Sequence, residues 1–231
     1  MNTLHTLGRC TCHRHAFPGV LTITNGASPM GGSASVPRDG RIPDTPAARA
    51  AEAYLNEVSN LTMVRHCKRT FLFGQALAEK AGAKPDLEML YVGALFHDLG
   101  LEPVFAGPDD FETLGAREAE RFLTSRGYAR IAQQVAAAIE LHTSPDTAND
   151  TRPEVAYLCM GALCDVVGAR LDQLEPRLIQ QVVAEYPRDG TKALLNALLK
   201  IQIDTKPASR IAIAESRMGV LKRIAEAPFT G

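Results

Sequence analysis

From Thr45 onward, apolar residues recur at three- and four-residue spacings in runs bounded by Pro and Gly, while alternating strand-type runs are nearly absent. A chain patterned in this way must bury helical stripes against one another. The expected fold class is therefore all-α, with one helical domain over residues 45–231. Residues 1–44 are rich in Gly, Pro, Ser and Thr without a sustained helical period, and read as a flexible or irregular N-terminal extension.

Helix boundaries can be placed from local chemistry. Thr45 is set as an N-cap with Pro46 at the first helical position. A second helix spans roughly Thr62 to Lys80 and stops before Gly82. Asp86 caps a third, which Gly100 and Pro103 end, so that His97 and Asp98 fall in its last turn. Further helices are expected over Asp109 to Ser125, Ala129 to Thr143, Pro153 to Val167, Glu175 to Glu185, Thr191 to Ile203 and Ser209 to Ala225.

Composition narrows the function classes. No apolar stretch approaches the length needed to cross a bilayer, which argues against a membrane partner. A formal net charge of -1 lacks the basic excess that phosphate contacts demand, so nucleic acid is not expected and a small-molecule substrate is. Five cysteines are an odd number without a disulfide framework, and the N-terminus has no signal-like apolar core; both point to a cytoplasmic location. Apolar positions on the late helices could support a homodimer or could equally be core.

His66, His97, Asp98, His142 and Asp165 all fall in segments that read as helices, beside small or apolar neighbours. A divalent cation needs several nitrogen or oxygen ligands converging on one point, and helices hold such ligands firmly. Asp165 sits in an apolar run, so it requires a cation, a hydrogen-bond network or an arginine. Taken singly, each His is more often a hydrogen-bonded core or surface residue, and Asp165 could pair with Arg69 or Arg170. The cluster Cys10-Thr-Cys12-His13-Arg-His15 has metal-binding residue types, but lacks the two-turn spacing of a structural zinc site and reads as incidental.

His66, then His97-Asp98, then Asp165 resembles the His, His-Asp, Asp signature of the HD-domain superfamily. The segments His66-Cys-Lys-Arg69, Leu90 to Leu101, Phe111-Glu112 through Ala116, and Ala138 to Thr143 are similar to its cyanamide hydratase-like branch. The resemblance implies a single HD-type helical domain with His66, His97, Asp98 and Asp165 as ligands to one divalent metal ion, Zn, Fe or Mn. It also departs from the pattern. Cys67 stands where Ser is usual, and Leu101 where many HD phosphohydrolases carry a basic residue.

These features lead to an expectation of a metal-dependent HD-domain hydrolase or hydro-lyase (hydratase). It would activate water for attack on a small polar substrate, cyanamide- or nitrile-like in character. His142 and Glu112 are the expected catalytic acid or base residues, with Glu112 equally suited to a first-turn role at a helix N-terminus. Arg69, one turn after His66, is expected to orient Asp98 or Asp165 from behind. Two alternatives remain at this point. A nucleotide or phosphate-ester phosphohydrolase would need Lys68 or Arg69 to face the cavity, and a catalytically silent ligand-binding helical domain would need no open metal position.

Overall fold

A computed structural model describes residues 42–229; the N-terminal extension up to residue 41, including the Cys10 to His15 cluster, lies outside them. The described residues contain ten α-helices and no strand. In chain order they are α1 (Pro46–Val58), α2 (Leu61–Ala81), α3 (Leu87–Phe96), α4 (Phe111–Ser125), α5 (Ala129–Leu141), α6 (Pro153–Val167), α7 (Pro176–Glu185), α8 (Thr191–Thr205), α9 (Arg210–Met218) and α10 (Val220–Ala225).

Caps decide most boundaries. The Thr45 hydroxyl accepts from Ala48 N at 3.1 Å, Asn60 Oδ1 accepts from Met63 N at 3.0 Å, and Asp86 Oδ1 accepts from Met89 N at 3.1 Å. Gly82 and Gly168 close α2 and α6 in the left-handed conformation, which a Cβ would penalise.

Several boundaries shift by one or two residues, and three of the differences from expectation bear on the site or the topology. α3 stops at Phe96, so His97 is its C-cap and Asp98 lies in the turn beyond. The expected run to Thr143 ends at Leu141 and leaves His142 as the C-cap of α5. The single run expected from Ser209 to Ala225 is two helices, because Gly219 adopts φ 61° and breaks it.

The core is built on α2 and α6, which run against each other. Gly74 lets α2 approach so closely that an added Cβ would lie 2.5 Å from Tyr157 O, and Gly161 meets Thr70 O and Gly74 in the same way. With His66, Thr70 and Gly74 spaced four apart on α2, and Tyr157, Gly161 and Asp165 four apart on α6, the same close seam presses His66 onto Asp165. A second close approach fixes the turn after His97-Asp98. Gly100 sits on the backbone of Phe111 and Gly115, which ties that turn to the start of α4. Around these seams pack Phe71, Tyr91, Leu95, Phe96 and Leu123, all with essentially no exposed surface.

Candidate metal centre

His66 projects from the second turn of α2, His97 and Asp98 from the end of α3, and His142 from the end of α5. All are buried. His66 Nε2 and His97 Nε2 face each other at 3.1 Å, and Asp98 Oδ2 lies 3.3 Å from the first and 3.4 Å from the second. A point equidistant from these three atoms is about 1.9 Å from each, close to the ~2.0–2.2 Å that zinc keeps from nitrogen and oxygen donors. These three residues form the one group among the described residues whose ligand atoms converge tightly enough to hold a metal ion.

The far side of each ring explains why the Nε2 atoms are available. His97 Nδ1 donates to Ala94 O at 2.8 Å and His142 Nδ1 to Ile139 O at 2.7 Å. Both are C-cap histidines that satisfy a last-turn carbonyl three residues back, and this local bond turns the other nitrogen away from the helix. His66 Nδ1 donates to Asp165 Oδ2 at 2.7 Å. With Nδ1 committed as a donor in all three, Nε2 is the nitrogen that faces Asp98, able to bind a cation through its lone pair or, when protonated, to donate to the carboxylate.

Asp165, expected as a fourth ligand, is placed behind His66 and is not part of the converging group. Its oxygens are taken up by arginines. Arg69 Nε donates to Oδ1 at 2.7 Å and Arg69 Nη2 to Oδ2 at 3.0 Å, while Arg188 Nη1 also donates to Oδ1. Arg69 thus supports Asp165 rather than Asp98, and is itself held by the Tyr186 and Pro187 carbonyls at 3.0 and 3.1 Å and by Thr191 Oγ1 at 3.1 Å. Arg188, 2% exposed and carried by the loop between α7 and α8, gave no signal in the sequence: no periodicity marks a loop arginine as buried.

His142 comes closer to the centre than an acid or base acting from the rim would. Its Nε2 lies 3.7 Å from Asp98 Oδ1, and its ring meets that of His97 edge-on with centroids 5.1 Å apart. Glu112 has no exposed surface and does not line the cavity; it accepts from the Thr143 hydroxyl and leaves Oε2 without a partner. Substrate contact by Glu112 is not supported, and its reach is to the residue after His142.

Electrostatics agree with a cation-shaped centre. Burial raises the Asp98 carboxyl, but the charges and hydrogen bonds of His97, His142 and His66 outweigh it and hold it well below the usual carboxylate range. Burial lowers His97 to about 4 despite the neighbouring Asp98. For His66 and His142 burial is outweighed by hydrogen bonds to carboxylates, Asp165 and Asp98 for the first and Asp98 for the second, so both rise. Positive charge is thus favoured at His66 and His142 beside the ionised Asp98 and disfavoured at His97, which leaves the His97 ring neutral and its Nε2 free to act as a ligand.

The sequence profile of the HD domain matches residues 63–185, more than half of the chain, from the first turn of α2 to the end of α7. The chain belongs to the HD domain family. None of the curated proteins matches it. In this HD domain protein the family's paired His97-Asp98 forms two corners of the converging group and His66 the third.

A cavity of about 130 Å³ opens on the centre, large enough for several water-sized groups. His97, Asp98, His142 and Thr143 supply its polar wall; Phe111, Leu195, Leu199, Ile211 and other apolar side chains from α6 and α8–α10 supply the rest. Among the described residues, no Lys or Arg lines it. The two cations considered for a phosphate are engaged elsewhere, Lys68 with Glu52 at 2.6 Å and Arg69 with Asp165. Leu101 is buried.

Proposed function

We propose that this HD domain protein is a metal-dependent hydrolase or hydratase acting on a small molecule with an apolar body. The observation that carries it is the triangle of His66 Nε2, His97 Nε2 and Asp98 Oδ2, whose His97-Asp98 edge forms one wall of a small apolar cavity. Zn, Fe or Mn suits two imidazoles and a carboxylate, and such a cation supplies a water acidified from pKa ~15.7 toward ~7 together with polarisation of a carbonyl, nitrile or phosphoryl oxygen or nitrogen.

The chain's own residues do the rest. His66 and His97 offer lone pairs oriented by Asp165 and the Ala94 carbonyl, and Asp98 offers one oxygen to the centre while the other faces His142. His142, anchored through Nδ1 and exposed to the cavity at Nε2, can hold a proton at that atom and deliver it to a developing anion on the substrate. Asp165, Arg69 and Arg188 act through His66 and fix its ring. The apolar wall excludes bulk water, which strengthens each of these interactions. A cavity free of Lys and Arg favours a nitrile- or amide-like reacting group over a phosphate ester.

The test pairs metal analysis with a substrate screen. Purified protein should carry one divalent ion per chain and turn over cyanamide or simple nitriles faster than nucleoside monophosphates. Asp98→Ala should lose both metal and activity. A folded Asp98→Ala protein that keeps its metal and full turnover would refute the assignment.

A further inference from the structure

The cavity at the metal centre continues into a larger one of about 720 Å³, and the two share His142, Thr143, Leu163, Val167, Ala214 and Met218. Among the described residues, the inner cavity has no Lys or Arg, whereas the outer one is lined by Arg170, Arg210, Arg217 and Arg223 against a single carboxylate residue, Asp146. Arg210 is neutralised in place: its Nε reaches Asp110 Oδ2 at 3.1 Å and its Nη2 reaches Glu140 Oε1 at 2.5 Å. The other three differ. Among the described residues neither an ion pair nor a side-chain hydrogen bond engages Arg170, Arg217 or Arg223.

These arginines come from separate places in the chain: Arg170 from the turn after α6, Arg217 from the last turn of α9 and Arg223 from the last turn of α10. Arg170 is half-buried and holds φ 62°, a left-handed backbone that a β-carbon disfavours. Its charge also reaches the buried Cys159 thiol on the same wall, opposing the rise that burial causes there. Arg217 and Arg223 are exposed, so they stand at the open side of the cavity. Guanidinium groups around one concave surface raise the positive potential there and present forked donors suited to a carboxylate or phosphate.

We infer that the outer cavity is an anion-binding vestibule, in which Arg170, Arg217 and Arg223 hold a carboxylate or phosphate group of the substrate while its apolar portion enters the inner cavity. The substrate class is then an amphiphilic anion, with its charged end remote from the reacting group. This deepens the hydrolase reading and rests on it only for what happens at the inner end, since anion binding requires no metal.

Calorimetric titration of the full chain with hexanoate, hexyl phosphate and hexanamide tests it, on protein both zinc-loaded and stripped with EDTA. At least one anion should bind about tenfold or more tightly than the neutral amide, with and without zinc, and the tighter one names the head group. Arg170→Gln, Arg217→Gln and Arg223→Gln should each weaken that anion about threefold to tenfold and together about fiftyfold or more, leaving hexanamide unmoved. Failure of the metal assignment alone would leave this pattern in place. Equal binding of amide and anions, undiminished binding by the triple variant, loss of binding on zinc removal, or no binding of either anion would each overturn the vestibule.

Discussion

Replacing Gly74 by Ala tests whether the seam between α2 and α6 sets the metal centre. A Cβ there would stand 2.5 Å from Tyr157 O, where at least 3.0 Å is needed and 3.4 Å is ordinary contact. Its nearest neighbours, from Tyr157 and Gly161, are all helix backbone, which cannot rotate away. The helices must therefore part by about 0.5 to 0.9 Å, which would stretch the 2.7 Å bond from His66 Nδ1 to Asp165 Oδ2 to about 3.2–3.6 Å, at or past the limit of a useful hydrogen bond. Overpacking costs ~1–3 kcal/mol and loss of a hydrogen bond to a charged group ~1.5–3, against ~1 kcal/mol gained from helix propensity. The net loss of about 1.5–5 kcal/mol should lower the melting temperature by roughly 3–20 °C for a domain of this size. Zinc affinity should fall with it, because a loosened His66 ring no longer presents Nε2 at a fixed place. Gly93→Ala in α3 is the control: its nearest new neighbour, Leu158 Cδ2, is at 3.5 Å, so the helix should gain ~0.5–1 kcal/mol. Thermal unfolding and competitive zinc titration read both variants. A Gly74→Ala protein as stable as wild type with unchanged zinc affinity would refute the reasoning.

Three further outcomes are expected. Asp165→Asn leaves Arg69 and Arg188 buried without a counter-charge and should cost ~3–5 kcal/mol in denaturant unfolding; an effect below ~1 kcal/mol would mean that the arginines are solvated. Burial pushes the Cys159 thiol up to about 11 and the Cys164 thiol to about 12 from an ordinary 9.0, so at pH 8 Cys159 holds roughly a hundredfold less thiolate than a free thiol. Iodoacetamide followed by mass spectrometry should therefore leave both unmodified until denaturant is added, with native labelling rising as pH increases toward 11. Glu112→Gln keeps the shape but exchanges an acceptor for an amide beside Thr143, and should change turnover less than tenfold while leaving the metal content intact; abolished turnover with the metal retained would restore Glu112 as a group that handles the proton.

Helix existence was legible because caps and breakers are local: Thr45, Asp86, Gly82 and Gly168 all act within one turn of themselves, whereas the Asn60 cap of α2 went unread. The break at Gly219 was harder to see, since an isolated glycine inside an amphipathic run is also compatible with a continuous helix. His66, His97 and Asp98 could be nominated from residue type and resemblance, yet which atom of Asp165 faces what depends on Arg69 and Arg188, the latter 23 residues away on a loop. The arginine wall of the outer cavity was illegible for the same reason. Arg170, Arg217 and Arg223 follow no spacing, and only the packing of the C-terminal helices brings them to one surface.

His97 and His142 show how a local rule produces a long-range site. Each ends its helix as a C-cap and binds the carbonyl three residues earlier, which any C-terminal histidine can do without tertiary help. That bond fixes the tautomer from within each helix, so where α3 packs against α5 both rings present Nε2 without needing a partner from elsewhere in the fold. His66 cannot use this device because it lies inside α2, where its neighbouring carbonyls are already bonded within the helix. An outside acceptor must then fix its tautomer, and Asp165 supplies it at the cost of burying a carboxylate, which Arg69 and Arg188 offset. The single histidine of the centre that sits mid-helix is thus the one that needs a charged network behind it, and the close glycine seam between α2 and α6 is what brings that network within reach.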